Sequence, residues 1–204
     1  MTDSLDRAKK IKVILFDVDG VLTDGSIWLF PAPAEGPRST DAHAQKHADA
    51  PGFGIISQNM IEAKGFNAHD GTAITLAHMG GLKAGIVTKR ISETVALRAR
   101  DLKLDYVFQG VARKLEVLEK ILREDSLREE EICYVGDDVI DLPIMNRCGF
   151  AIAVANARPQ VIKAAHYTTP SRGGEGAARD AVEYILQAQG KLDKVIEEYI
   201  SSRS

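Results

Sequence analysis

Two carboxylates stand two residues apart in the segment ILFDVDGVLTDG, where the apolar run 13–16 ends at Asp17 and Asp19. A second acidic cluster, GDDVID at 136–141, also follows an apolar run. Carboxylates that converge lose solvation and repel each other, which costs several kcal/mol unless a cation or a proton compensates. Mg²⁺ prefers such hard oxygen ligands and often bridges them to phosphate. The pattern therefore predicts a magnesium site, provided that the two strands are neighbours.

Two further residues could bind phosphate oxygens, because Thr88 offers a hydroxyl at the end of an apolar run and Lys114 offers an ammonium at the start of a helical pattern. The alternative is that acidic residues at strand ends only cap the helices that follow, which we accept for Asp138 or Asp70 taken alone. It does not account for the whole set. That set is Asp17, Asp19, Thr88, Lys114 and Asp137.

The elements that position these residues alternate between short apolar runs and helical patterns. The predicted strands are Val13 to Phe16, Ala84 to Thr88, Tyr106 to Gln109, Ile132 to Val135 and Ala151 to Val154. The predicted helices are Thr72 to Met79, Ser92 to Leu102, Lys114 to Arg123, Pro143 to Arg147 and Pro159 to Ala164. This alternation predicts an α/β fold, a Rossmann-like three-layer α/β/α arrangement around a central parallel sheet. In such sheets, ligands bind at the carboxyl ends of the strands.

Two regions depart from the alternation. The segment GSIWLF predicts the first arm of a small β-hairpin flap, and the stretch 31–58, rich in Pro, Ala and Gly, predicts a flexible insertion. His43 and His47 in that stretch could share a helical face near Asp41 and Asp49, but we favour a solvated loop over a metal site. The tail 191–204 carries a helical apolar stripe, Leu192, Val195, Ile196, Tyr199 and Ile200, which predicts packing on the domain or on a second subunit.

Composition narrows the class of protein. The chain has 204 residues, which suits one domain spanning 1–204, and a formal net charge of -3 with acidic and basic residues interspersed. We therefore expect no nucleic-acid partner and no membrane partner. The polar N-terminus lacks the apolar core of a signal peptide, which favours a cytoplasmic location. Cys133 and Cys148 are interpreted as structural thiols, since nothing cationic flanks either one.

Four motifs in order resemble those of the haloacid dehalogenase-like phosphatases. They are DVDGVLTDG, the Thr88 strand end, the Lys114 helix start and GDDVID. Further stretches resemble the capless 3-deoxy-D-manno-octulosonate 8-phosphate phosphatases within that superfamily. These stretches are GFNAHDG at 65–71, DYVFQG at 105–110, YVGDDVIDLPIM at 134–145 and GGEGAARD at 173–180. The resemblance covers Val13 to about Leu192, apart from the insertion, and implies a fold with no large cap domain.

The resemblance implies a role for each motif residue. Asp17 attacks phosphorus and becomes an aspartyl phosphate, while Asp19 protonates the leaving sugar oxygen and then activates water. Mg²⁺ is held by Asp17, the backbone carbonyl of Asp19 and Asp137. Asp138 and Asp141 contact these ligands and orient them without binding the metal. Thr88 and Lys114 hold the phosphate oxygens. The implied activity is Mg²⁺-dependent hydrolysis of 3-deoxy-D-manno-octulosonate 8-phosphate in the synthesis of lipopolysaccharide precursors.

The substrate site is where this chain departs from the family pattern. The implied substrate-binding residues are Gly20, Asn67, His69, Arg90, Arg172, Gly173 and Gly174. The family commonly has Thr-Gly-Arg where this chain has Thr88-Lys89-Arg90, and an arginine where this chain has His69. The 31–58 insertion is also absent from the common form. In the family the subunits form tetramers, in which the hairpin and the Gly-rich tail complete a neighbour's pocket.

Three other functions fit parts of the pattern. Phosphatases for nine-carbon sialic-type sugar acids share the four motifs, but they tend to carry an acidic residue where this chain has Arg90. A response-regulator receiver also gathers aspartates and Mg²⁺ at strand ends, but its phosphoacceptor lies late in the third strand and not at Asp17. A non-catalytic assembly module is the third alternative, against which the intact acidic residues and Lys114 argue.

Overall fold

The structure, a computed structural model, describes residues 2–31, 53–54 and 60–202. Ten strands occur in these residues, and we number them in chain order. They are β1 (Val13–Phe16), β2 (Trp28–Pro31), β3 (Phe53–Gly54), β4 (Met60–Ala63), β5 (Lys83–Val87), β6 (Arg90–Ile91), β7 (Tyr106–Phe108), β8 (Ile132–Gly136), β9 (Phe150–Ala153) and β10 (Tyr167–Thr168).

A parallel sheet of six strands forms the centre of the fold, in the order β10-β9-β8-β1-β5-β7. The strand β1 lies between β5 and β8, with Phe16 opposite both Ile86 and Val135. All residues of β1, β8 and β9 are buried, as expected for strands covered by helices on both faces. The first residue after β1 therefore lies beside the ends of both neighbouring strands.

Eight α-helices occur in the described residues, and they cover both faces of the sheet. They are α1 (Thr2–Ala8), α2 (Ala68–Met79), α3 (Glu93–Asp101), α4 (Lys114–Glu124), α5 (Leu142–Met145), α6 (Pro159–Ala164), α7 (Ala177–Ala188) and α8 (Leu192–Ser201). The helices α1, α2, α7 and α8 pack together, and α4, α5 and α6 form a separate group. Right-handed crossovers place these two groups on opposite faces, which gives three layers.

A small β-hairpin leaves the sheet after β1. Its arms β2 and β4 pair antiparallel, with Trp28 opposite Ala63 and Leu29 opposite Glu62. The short strand β3 pairs in parallel with β6, which follows β5 directly. No large cap domain occurs among the described residues, so the hairpin is the main addition to the layered fold. The predicted flap is confirmed at its first arm, because GSIWLF leads into β2.

The predicted insertion 31–58 is only partly covered by the structure. Pro31 belongs to β2, and Phe53–Gly54 forms β3, so neither lies in an irregular segment. The remaining residues, including the histidine pair His43 and His47, lie outside the described residues.

The predicted central strands and helices are confirmed, with boundaries that differ by a few residues. The helix predicted from Thr72 begins earlier, at Ala68, because the side chain of Asn67 caps it by accepting a hydrogen bond from the His69 amide. The helix predicted over Pro143 to Arg147 ends at Met145 and starts at Leu142. The elements α1, β3, β6, β10 and α7 were not predicted.

Candidate active site

Three carboxylates converge where β1 and β8 end. The side chains of Asp17, Asp137 and Asp141 each offer an oxygen, and these oxygens all lie within 4.8 Å of one another. Asp17 follows β1 and Asp137 follows β8, so the pairing of the two strands alone brings the first two together. Asp141 comes from a 3-10 turn, Val139–Asp141, that begins directly after this strand end.

Burial makes the charges of this cluster costly. Burial raises the pKa of Asp17 to about 7 against the opposing charge of Lys114, and the charge of Asp141 adds to the rise. Burial also raises the pKa of Asp137 to about 7, together with the charges of Asp17 and Asp141. One oxygen of Asp137, Oδ1, is buried and has no hydrogen-bond partner in the part of the chain that the structure describes. Such a set fits a divalent cation such as magnesium, which neutralises adjacent carboxylates and takes oxygen ligands.

Lys114 lies at the first position of α4 and is almost completely buried. Its Nζ lies 2.7 Å from Asp17 Oδ2 and 2.7 Å from Asp141 Oδ1, and it donates to the hydroxyl of Tyr134 at 2.9 Å. Burial alone would lower the pKa of Lys114, but the charges of Asp17 and Asp141 raise it above its usual value. The ammonium group is therefore held charged against the carboxylate cluster.

Asp141 is fully buried and serves as the centre of a hydrogen-bond network. Its Oδ1 accepts from Lys114 at 2.7 Å and from the Tyr134 hydroxyl at 2.8 Å. Its Oδ2 accepts from the backbone amides of Asp137 at 3.1 Å and Asp138 at 3.3 Å. The side chain of Asp138 instead caps the 3-10 turn by accepting from the Val139 amide. Asp141 thus fixes the loop that presents Asp137.

Asp19 belongs to a second charged cluster, formed with the hairpin. Its Oδ1 accepts a hydrogen bond from the ammonium of Lys64, whose side chain is completely buried. Glu62, on the same face of the hairpin arm, pairs with Arg90 at 2.8 Å, and the Arg90 Nε lies 3.8 Å from Asp19 Oδ2. Two acidic side chains, Asp19 and Glu62, and two basic ones, Lys64 and Arg90, therefore form this cluster.

The other predicted site residues differ in the burial of their side chains and in their hydrogen bonds. Thr88 is buried directly after β5, and its hydroxyl oxygen accepts from the Arg90 amide at 3.3 Å. Asn67 caps α2 and also donates from Nδ2 to the Gly174 carbonyl at 3.2 Å. His69 is exposed in the first turn of that helix. Both hydrogen-bonding ends of the Asn67 amide are thus engaged within the fold.

A glycine-rich segment, residues 171–176, packs onto the loop that carries Asp19 and Gly20, and we call it the strap. A Cβ atom on Gly173 would lie 1.7 Å from the carbonyl oxygen of Gly20, and a Cβ on Gly20, where φ is +91°, would lie 2.2 Å from Asp137 Oδ2. The amide of Asn156 joins the two segments, because its Oδ1 accepts from Gly173 N at 2.7 Å and its Nδ2 donates to Gly20 O at 3.4 Å. Only glycine fits these contacts.

Arg172 and Glu175 are the exposed residues of the strap, and Arg172 lies next to Gly173. The carbonyl of Val21 accepts a hydrogen bond from Gly174 N at 3.0 Å, which adds a backbone contact between the strap and the loop after Asp19. Gly173 and Gly174 were expected to bind substrate in a neighbouring pocket. In this chain both glycines pack against its own loop that carries Asp19 and Gly20, while the side chains of Arg172 and Glu175 are exposed.

The chain is similar in sequence to other proteins over most of its length. A 3-deoxy-D-manno-octulosonate 8-phosphate phosphatase of Escherichia coli strain K12 is 33% identical over 192 residues, which cover 94% of this chain and 88% of the relative. The chain belongs to the 3-deoxy-D-manno-octulosonate 8-phosphate phosphatase family. The model of the broader haloacid dehalogenase-like hydrolases matches residues 84–179. Members of this phosphatase family are phosphoric monoester hydrolases, and so is this chain.

Solved structures of the phosphatase family have the same fold. A 3-deoxy-D-manno-octulosonate 8-phosphate phosphatase from Moraxella catarrhalis, in complex with magnesium ion, phosphate ion and KDO, superposes with a TM-score of 0.80 at 30% identity and covers 98% of this chain and 99% of its own. A probable yrbi family phosphatase from Pseudomonas syringae pv. phaseolica gives a TM-score of 0.81 at 37% identity, with 98% of each chain covered. No helix among the described residues has the length and apolar character needed to cross a bilayer.

Within this phosphatase family fold, these predicted site residues fall into three groups. Those brought together at the strand ends are Asp17, Asp19, Thr88, Lys114, Asp137 and Asp141. Asn67 and Asp138 use their side chains as helix caps, and Arg90 is engaged by Glu62. His69 and Arg172 are exposed.

Four residues near the site were missed by sequence reasoning. They are Glu62, Lys64, Tyr134 and Asn156. Tyr134 interrupts an otherwise aliphatic strand, which was a usable signal, because a buried hydroxyl needs a partner. Lys64 and Glu62 carry no such signal, because a charged pair in a hairpin arm normally lies in solvent.

Proposed function

We propose that this chain is a Mg²⁺-dependent phosphatase that hydrolyses 3-deoxy-D-manno-octulosonate 8-phosphate to the free sugar acid and phosphate. The observation that carries the proposal is the convergence of Asp17, Asp137 and Asp141 around one point, with Lys114 buried against them. The relative from Moraxella catarrhalis, which has the same fold, is in complex with magnesium, phosphate and KDO. We place the reaction in the cytoplasm, in the synthesis of lipopolysaccharide precursors.

Magnesium is expected to bind Asp17, Asp137 and the backbone carbonyl of Asp19, where its charge screens the phosphate and keeps Asp17 ionised. Asp141, with both oxygens engaged by Lys114, Tyr134 and two backbone amides, then holds the loop of Asp137 in place. The raised pKa values of Asp17 and Asp137 support this assignment, since burial and neighbouring carboxylates disfavour both charges and a bound cation would compensate them.

The reaction we propose has two displacements at phosphorus. In the first, an oxygen of Asp17 forms a bond to phosphorus, the bond from phosphorus to the sugar oxygen breaks, and that oxygen takes a proton from Asp19. In the second, Asp19 accepts a proton from water, the water oxygen bonds to phosphorus, and the Asp17 carboxylate leaves. We expect Lys114, which lies 2.7 Å from Asp17 Oδ2, and Thr88, buried after β5, to contact the phosphate oxygens during both steps.

Binding of the sugar acid requires cations other than Lys114. Arg172 is exposed on the strap next to the catalytic loop, and Arg90 lies beside Asp19 with its guanidinium partly engaged by Glu62. We assign the substrate carboxylate to these two arginines, because a guanidinium can hold a carboxylate with two hydrogen bonds. Gly20, Asn67, His69, Gly173 and Gly174 are proposed to shape the rest of this pocket.

The test is a substrate panel with metal control. Phosphate release is measured from the eight-carbon sugar-acid phosphate, a nine-carbon sugar-acid phosphate and glucose 6-phosphate, each with chelator-treated enzyme and after addition of Mg²⁺. We expect no turnover without metal and the highest kcat/KM for the eight-carbon acid. A higher kcat/KM for the nine-carbon acid would assign the enzyme to the sialic-type substrates instead. Failure to release phosphate from any substrate would indicate a non-catalytic module.

A further inference from the structure

The hairpin ends at a buried charge that the proposed reaction does not use. Lys64 follows β4 directly, and its side chain has no exposed surface. A buried ammonium is unfavourable by several kcal/mol unless it is paired and hydrogen-bonded. Its pairing with Asp19 therefore helps to hold the end of the hairpin in place, and the same pairing restrains the carboxyl group of Asp19.

The charges of the cluster divide into two pairs. Glu62 is paired with Arg90, whose Nη2 lies 2.8 Å from Glu62 Oε2, while Lys64 lies 3.7 Å from the other oxygen of Glu62. Asp19 Oδ1 accepts a hydrogen bond from Lys64, and the Arg90 Nε is 3.8 Å from Asp19 Oδ2, beyond hydrogen-bonding distance. Lys64 is thus the hydrogen-bond partner of Asp19, and Arg90 is the partner of Glu62.

We propose that Lys64 is a positioning residue that holds Asp19 in the orientation needed for proton transfer, an inference that rests on the proposed phosphatase reaction. Binding Oδ1 to the ammonium fixes the carboxyl group, while Oδ2 takes no hydrogen bond from Lys64. The proton that the leaving sugar oxygen receives, as its bond to phosphorus breaks and it keeps the electron pair, comes from Oδ2. The hairpin therefore orients the acid as well as adding to the surface.

The competing explanation is that Lys64 only fastens the hairpin to the sheet. Both explanations predict lower activity when the ammonium is removed, so activity alone does not separate them. The leaving group does, because an alkyl oxygen needs a proton as it departs, whereas nitrophenolate departs without one. A residue that acts through the acid affects the first reaction much more than the second.

The experiment compares Lys64→Met with wild type in the first chemical step. Single-turnover rates are measured with a sugar phosphate by rapid quench and with p-nitrophenyl phosphate by the burst of nitrophenolate. Lys163, exposed on α6, provides the matched control Lys163→Met, which removes an ammonium elsewhere. Lys64→Arg keeps a cation at the site and is the conservative variant.

We expect Lys64→Met to slow the sugar phosphate step by at least ~10-fold, part of the ~10²-fold or more that a general acid supplies, and to change the nitrophenolate burst by less than ~3-fold. Lys64→Arg should recover part of the loss, and Lys163→Met should match wild type. Equal losses on both substrates would overturn the proposal. If Lys64→Met does not fold, judged by its circular dichroism and urea transition, the same comparison on Lys64→Arg decides, with an unequal loss supporting the proposal and an equal one contradicting it.

A double variant gives an independent check. If Lys64 acts through Asp19, adding Lys64→Met to Asp19→Asn should slow the sugar phosphate step by less than ~2-fold further, because coupled residues are not additive. Full additivity would contradict the proposal. These assays need no particular sugar, so wild-type enzyme that cleaves both phosphates without preferring the sugar acid would refute the proposed substrate and leave the role of Lys64 intact.

Discussion

Asp17, the proposed nucleophile, is held from two sides at the end of β1. Its Oδ1 accepts from the Val18 amide at 2.7 Å, and its Oδ2 lies 2.7 Å from Lys114 Nζ. These contacts fix the carboxylate, but they do not offset the cost of placing it beside Asp137 and Asp141. A site that gathers this much negative charge is arranged for ligand binding at the expense of the stability of the metal-free chain.

The substitution Asp17→Asn should abolish catalysis without lowering the stability of the metal-free protein. We expect no measurable turnover and no phosphoenzyme, because an amide does not attack phosphorus. In chelator, the melting temperature of the variant should equal or exceed that of wild type, since one of three converging carboxylates is gone. Thermal unfolding with and without Mg²⁺ measures this. A variant that turns over at the wild-type rate would refute the role of Asp17, and a large loss of stability in chelator would refute the repulsion.

At the scale of elements, the strap and the loop that carries Asp19 and Gly20 form one unit. Gly173 packs on the carbonyl of Gly20, and Asn156 hydrogen-bonds to the backbone of both segments. The strap is also fixed at its ends, because Ser171 N donates to Asp180 and the buried Asp70 accepts from Arg179 N. The position of Asp19 therefore depends on the strap, which lies more than 150 positions later in the chain.

Gly173→Ala should displace the strap. The new methyl group would lie 1.7 Å from Gly20 O, so backbone must move, at a cost of about 1–3 kcal/mol for overpacking. We expect that loss in urea unfolding, together with a fall in kcat, because the loop of Asp19 shifts. Gly65→Ala is the matched control, since a Cβ at Gly65 meets nothing within 4 Å. Wild-type kcat in Gly173→Ala would show that the strap does not position the loop.

The same elements show what sequence can and cannot predict. Central strands such as β1 and β8 were predicted because a strand buried on both faces must be a continuous apolar run. The helix α7 was missed because it begins at the strap, where glycines and small residues conceal a helical pattern. Asp17 and Asp137 could be placed together from topology alone, whereas the contact of Lys64 with Asp19 depends on how the hairpin folds back.

For the whole molecule, the hairpin leaves an apolar surface open. Trp28, Leu29 and Phe30 in β2 and Ile61 in β4 are all about half exposed, between 47 and 57%. Trp28 and Phe30 lie on one face of the hairpin with Ile61, which pairs with Phe30, while Leu29 points to the opposite face. The three side chains on one face form a surface of the kind that mediates protein contacts. We propose that this chain forms a homotetramer, as its resemblance to the family implies, with these hairpin surfaces in contact.

Charged substitutions on the hairpin should break that assembly. We expect Trp28→Lys combined with Phe30→Lys to elute as a smaller species, with the mass read from light scattering during size-exclusion chromatography. Ile162→Lys, at a similarly exposed apolar residue on α6, should leave the mass unchanged. An unchanged mass in the hairpin variant would exclude the hairpin as the contact, and a monomeric wild type would exclude the tetramer.

The strand order has a consequence for the path of folding. The earliest strand, β1, lies at the centre, and its two neighbours begin at Lys83 and Ile132, far along the chain. Parallel pairings between distant segments require the closure of long loops, which slows folding. During synthesis, both edges of β1 stay unpaired until β5 and β8 have been made. The three carboxylates of the site come together only after residue 141 has left the ribosome. We therefore expect the magnesium-binding arrangement to form late, after the sheet that supports it.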